Sequence, residues 1–299
     1  MAKIILALAL LILTGPLSSQ DDNQSLRVLF LGNSVFYFHG GLYQSFMGFC
    51  YADGIDCQAV SQRREPANTH GAEFLGIGRI PNNLPDFAAE EKYHTLIREG
   101  GYDYVIIEAR REGHLLPEWI DRSENIPGWV ERFVDYDVGE FIPYEQNLAA
   151  LARLYQSIVN SGAKMVLYMH PGLYYTPEWK YPLAQMHERF KDDLESMEIN
   201  GMNHEIILVP ASLLWRNAVN RYGADNWYAD HIHGNAMARY ASGCMLFTYL
   251  LGKDPRNNSF RELPRNWQTT PDEPAVLINE VDAEWIKEQV WFYYTTRRR

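Results

Sequence analysis

The chain has 299 residues, 46% hydrophobic and 22% charged, which excludes a disordered class and fits one globular domain with long loops. Its formal charge of −11 argues against a nucleic-acid partner, because phosphate binding needs a basic surface. The terminal run Arg297-Arg298-Arg299 reads as a solvated end.

Lys3, the apolar run of residues 4–13, and the small polar residues through Ser19 have the pattern of a secretory signal peptide over residues 1–20. The apolar run is too short to span a bilayer. No cysteine lies near the expected cleavage point, so the mature protein is expected to be secreted or periplasmic with no stable membrane anchor. No linker or low-complexity run divides residues 21–299, which read as one domain.

Residues 26–32 (LRVLFLG) predict a buried strand ending at a glycine, and residues 42–52 continue with helical spacing. Further strands are predicted over 56–61, 103–108, 164–169 and 205–210, from their length and β-branched content. Helical patterns fall at 145–160, 182–199 and 235–251. Strands alternating with helices at this spacing imply an α/β domain whose parallel sheet is covered on both faces. The stretch of about residues 109–143, rich in Trp, Pro and acidic residues, is too long for a plain connection and is read as a lid or substrate-binding insertion. Cys50 and Cys57 are close enough in sequence to bridge, leaving Cys244 unpaired; equally, all three can be small buried side chains.

In an open α/β sheet the site forms beyond the carboxyl ends of the strands. That rule selects Asn33-Ser34, the loop 62–75, the segment from Glu108 to His114, and His170-Pro171-Gly172. A serine hydroxyl becomes a useful nucleophile only when a base takes its proton, and acyl transfer also needs donors for the developing oxyanion. Near the other end of the chain, WYADHIHGNAMARY places Asp230 and His233 three apart, just before a helix that can begin at Asn235. That spacing lets the carboxylate turn back to the imidazole and orient it. Each feature alone has a plainer meaning: Ser34 as a helix cap, Asp-x-x-His as a surface turn. Asp230, His231 and His233 can also be read as metal ligands, with His70, His114 or His170 completing the set.

LFLGNS followed much later by D-x-x-H and a helix ending in LLGKDP resembles the SGNH (GDSL-like) hydrolase superfamily, in the branch with Gly-Asn-Ser at Gly32-Asn33-Ser34. The resemblance implies a flavodoxin-like three-layer sandwich with a central, mostly parallel sheet. It further implies a catalytic triad of Ser34, His233 and Asp230, no metal and no cofactor. For the oxyanion hole it implies Gly71 at the second block. At the third, Glu108 and Arg110 stand where relatives carry a glycine and an asparagine, and an ionised Glu108 aimed at an oxyanion would repel it. A salt bridge between Glu108 and Arg110 at the strand end is the structural alternative. The function expected is hydrolysis of an ester, with a small-molecule or glycan ester as partner. Export and the aromatics Trp119, Trp129, Tyr174, Tyr175, Trp179, Trp215, Trp227 and Tyr228 favour an acyl or acetyl group on a carbohydrate, although most such rings serve packing. The missing third-block asparagine keeps open a glycan-binding protein without catalysis.

Overall fold

The structure, a computed structural model, describes residues 25–32, 34–37, 41–61, 72–74, 84–108, 142–169, 180–230, 233–263 and 275–297. Six strands, β1 (Leu26–Leu31), β2 (Cys57–Ser61), β3 (Ala72–Phe74), β4 (Tyr104–Glu108), β5 (Lys164–Tyr168) and β6 (Ile207–Val209), form one sheet in the order β3-β2-β1-β4-β5-β6. Every pairing in it is parallel. With the three-residue edge strand β3 set aside, the order is the flavodoxin-like one, which reverses between β1 and β4.

Successive residues of a strand point to opposite faces, and here both faces are covered. Val28 and Phe30 of β1 join Ile106, Val166 and Tyr168 beneath α2 (Leu42–Ala52), α7 (Ala211–Tyr222), α8 (Ala236–Leu251) and α9 (Glu280–Arg297). Leu29 and Leu31 join Val105, Ile107 and Leu167 beneath α3 (Leu84–Ala89), α4 (Glu91–Glu99), α5 (Tyr144–Asn160) and α6 (Lys180–Glu195). This is the three-layer α/β sandwich expected from the alternation of apolar runs and helical patterns. Among the described residues, no helix is long and apolar enough to cross a membrane.

The element boundaries differ from expectation in instructive places. The helix expected over 182–199 is α6, which stops at Glu195. Asn203 Nδ2 donates to the Glu195 carbonyl at 2.6 Å, and Asn200 adopts a positive φ in the reversal that pairs Ile199 with Met202. Strand β3 lies inside the expected loop 62–75. Helices α3, α4, α7 and α9 were not among the elements expected from the sequence; in α4 the buried residues are Tyr93, His94 and Ile97. Cys50, Cys57 and Cys244 are free and buried, so the bridging alternative for Cys50 and Cys57 gives way to the packing one. Cys50 hydrogen-bonds Cys57, and that contact together with burial pushes the Cys50 thiol well above the usual range.

Candidate active site

Leu31 of β1 stands opposite Ile107 of β4, so Gly32 and Glu108 emerge side by side where the strand order reverses. Gly32 is required by close approach: a Cβ there would come within 2.7 Å of the Phe36 ring and 2.9 Å of Glu108 Cβ. The chain then enters a single helical turn, α1 (Ser34–Tyr37), with Ser34 at its start and partly buried. Phe36 folds back beneath this turn and packs edge-on against Phe30, at 5.9 Å between ring centroids, and against Tyr168, at 5.2 Å. Short apolar packing thus sets the path of the chain around Ser34.

Glu108 is 4% exposed and pairs in register with Tyr168. The Tyr168 phenol is held well above its usual pKa, first by burial, with the Ser242 hydrogen bond acting the other way and the Glu108 carboxylate adding to the rise. Tyr168 therefore stays protonated.

The segment carrying Asp230 and His233 is anchored by its own main chain. Tyr228 and Gly234 form an antiparallel bridge, Ala229 N donates to the His233 carbonyl at 2.8 Å, and Asn235 N donates to the Trp227 carbonyl at 3.0 Å. Asn235 also caps α8, accepting from Ala238 N at 3.2 Å, while its amide donates to the Asn226 carbonyl at 2.8 Å. Within this frame the His233 ring Nδ1 meets Asp230 Oδ2 at 2.7 Å, and the His233 main-chain N–H donates to Oδ1 at 2.6 Å. A carboxylate only accepts, so Nδ1 carries the proton and Nε2 presents its lone pair. Asp230 is 42% exposed whereas His233 is 11% exposed, so the imidazole points inward and its orienting carboxylate faces out.

His233 and Gly234 border a cavity of about 10 Å3 together with Leu42, Tyr168, Trp215, Arg239 and Ser242. That volume suits about one water-sized group, not a substrate. Tyr168 has neighbours from both segments: Phe36 of the Ser34 turn packs on its ring, and His233 lines a cavity with it. A larger cavity of about 470 Å3 lies along the β6 edge between α6 and the ends of α8 and α9. It is lined by groups such as Tyr104, Lys164, Tyr249 and Arg297 and by no residue of the Ser34 or His233 segments.

Among the sequence-expected site residues, the structure pairs Asp230 with His233 and sets Glu108 beside Gly32. Gly71, Arg110 and His231 lie outside the described residues, as do His70, His114, His170, the residues read as a signal peptide, and residues 109–141 of the insertion. Trp215, Trp227 and Tyr228 are buried among one another's rings, so these three serve the packing expected of most such rings and not the stacking on a sugar. Among the described residues, no group of three or more His, Cys, Asp or Glu is gathered to hold a metal ion. Sequence reasoning missed Tyr168 and Ser242. Tyr168 lies inside the strand expected over 164–169, so a rule that looks beyond strand ends passed it over, and Ser242 is a polar residue in the apolar stretch of AMARYASGCMLFTYLL.

Fold and site together define a three-layer α/β protein with a serine turn and an Asp–His pair gathered at the carboxyl edge of a parallel sheet. No protein-family model matches the sequence, and no curated protein matches it. Solved structures do resemble it. A DUF4886 family protein from Bacteroides uniformis is 10% identical with a TM-score of 0.50, the match covering 92% of this chain and 97% of that one. A candidate GDSL-like lipase from Parabacteroides merdae is 14% identical with a TM-score of 0.45, over 77% of this chain and 96% of that one. An acetylxylan esterase from Geobacillus stearothermophilus is 12% identical with a TM-score of 0.42, over 76% and 93%. The likeness is one of fold, an α/β architecture shared with the first of these over most of both chains.

Proposed function

We propose that the protein is an exported serine esterase of the SGNH type that hydrolyses an ester through Ser34, His233 and Asp230. The observation that carries this reading is the Asp230–His233 contact of 2.7 Å in a loop tied down on both sides, with the buried ring bordering a cavity shared with Tyr168. Ser34 Oγ attacks the acyl carbon while its proton passes to His233 Nε2. The tetrahedral intermediate collapses, the bond to the alcohol oxygen breaks, and His233 returns the proton to that oxygen. Water, activated by the same imidazole, then releases the acid and restores Ser34. Asp230 holds the tautomer and stabilises the imidazolium, without itself taking up a proton.

For the developing oxyanion, the donors in this reading are the Ser34 main-chain N–H and groups contributed by Gly71 or Arg110. Glu108 is turned into the packed layer beside Gly32 and Tyr168, which supports a structural role at the strand end. The substrate class proposed is an acyl or acetyl ester on a carbohydrate, from export and the aromatic-rich insertion; the acetylxylan esterase among the fold relatives accords with it. A fluorophosphonate should label Ser34 in the mature protein, and Ser34→Ala should lose both labelling and turnover of a small acetyl ester. Turnover that survives in Ser34→Ala, or that depends on a metal removable by chelation, would sink the triad and favour the reading in which Asp230, His231 and His233 bind a metal.

A further inference from the structure

The Ser34 turn and the His233 loop each rest on one buried aromatic ring, and both rings are oriented by the same hydroxyl. Tyr168, the last residue of β5, donates its phenol O–H to Ser242 Oγ at 2.9 Å. Trp215, from α7, donates its indole N–H to the same oxygen at 3.1 Å. An indole nitrogen can only donate and a hydroxyl oxygen has two lone pairs, so one serine on α8 satisfies two buried donors from two other elements. Tyr168 is 1% exposed, Trp215 2% and Ser242 2%, so bulk water does not reach these bonds, and the adjoining cavity has room for about one water-sized group.

The far ends of the two rings touch the chemistry-bearing segments. The Tyr168 ring meets Phe36 edge-on, and Phe36, two residues after Ser34, fills the space where a Cβ on Gly32 would be. The Trp215 ring lies where a Cβ on Gly234 would be, directly after His233, and its edge packs on Tyr228 at the start of the same loop, with 5.1 Å between centroids. A tilt of either ring therefore moves a nucleophile or a base, because the interior is close-packed and transmits displacement.

We infer that Ser242 is a positioning residue: its hydroxyl fixes the angle of Tyr168 and Trp215 and so the spacing of Ser34 from His233. The inference rests on the triad reading for its effect on catalysis, but not for the coupling of the two segments. Removing the oxygen leaves two buried donors unsatisfied, and the rings then shift to find partners. Misplacement of reacting groups by about 1 Å costs about 10²-fold in rate.

The test uses the full mature chain as wild type, Ser242→Ala, Tyr168→Phe, the double variant, and Ser34→Ala. On a short acyl ester, Ser242→Ala should lower kcat about 10- to 10²-fold while KM stays within about two-fold. Tyr168→Phe, which removes one of the two donors, should cost less, and the double variant should add little to Ser242→Ala. Independently of turnover, the low-field proton of the His233 Nδ1–H bond, identified by its loss in Asp230→Asn, should shift in Ser242→Ala. If Ser242→Ala does not fold, Tyr168→Phe carries both measurements. Unchanged kcat with an unmoved His233 resonance in a folded variant overturns the inference, as does a fall in thermal stability alone. Full hydrolysis by Ser34→Ala would overturn the triad instead, and the His233 resonance would still decide whether Ser242 controls the loop.

Discussion

The loop bearing Asp230 and His233 is tied by main-chain hydrogen bonds at both ends and by the Asn235 cap, and the turn bearing Ser34 has the Phe36 ring packed against the glycine that precedes it. Hydrogen bonds fix direction, which matters for His233 in the proposed role of base because its two ring nitrogens then have different tasks. Packing fixes depth, which matters for Ser34 in the proposed role of nucleophile because its hydroxyl must then stand clear of the sheet at the strand order's reversal. The serine turn should therefore be sensitive to volume and the histidine loop to polarity.

Substitutions can break that contrast, beginning with the largest expected effect. Asp230→Asn keeps the shape but loses the charge and the unique tautomer, and kcat should fall at least about 10²-fold with KM little changed. Because Asp230 is 42% exposed, thermal stability should move little, a split readable from melting curves beside steady-state kinetics. Gly32→Ala should do the reverse first: a methyl 2.7 Å from Phe36 and 2.9 Å from Glu108 Cβ overpacks the turn, costing about 1–3 kcal/mol in chemical denaturation. Activity should follow, since the displaced ring carries Ser34 with it; an equally stable variant would show that packing does not set the turn.

Asn235→Ala removes the cap of α8 and the tie to Asn226, and should cost about 1 kcal/mol of stability. A readout at the His233 resonance would show whether this end of the loop also sets the imidazole's angle. The smallest expected effect at working pH concerns the buried phenols. Burial raises Tyr168, Tyr240 and Tyr249 above the ordinary value of 10.0, and burial followed by the Asp282 hydrogen bond pushes Tyr222 up to about 12. The folded state then keeps protons that the unfolded chain releases above pH 10, so this stability is complete below pH 10 and is lost as pH rises through 12 and beyond. Melting temperature should fall across that window and not below it. Tyr168→Phe should flatten the slope, sharpening the share that the ring between the two turns contributes.

Much of the architecture was legible because buried parallel strands must be apolar throughout: LRVLFL, YVIIE and KMVLY announce themselves by composition, and the order of strands and helices follows. The amphipathic helix of residues 144–160 was legible to within one residue for the same reason, its apolar stripe being wide. Helices α4, α7 and α9 were not among the expected elements; α4 is only nine residues long, and its buried face of Tyr93, His94 and Ile97 includes a histidine that does not read as apolar.

At the site, Asp230 and His233 could be paired from sequence because three residues of separation is a local geometry. Ser34 could be selected because strand ends are where such folds place their chemistry. The surroundings of the two could not be, since Tyr168, Trp215 and Ser242 come from three elements with up to 74 residues between hydrogen-bonded partners. Sequence alone determined the layered fold and which local groups could act, because periodicity and short spacing are properties of the chain itself. Only the tertiary structure decided that Glu108 turns into the packing beside Gly32, and that one hydroxyl on α8 holds the rings under both turns, because such contacts exist only once the sheet has brought distant segments together.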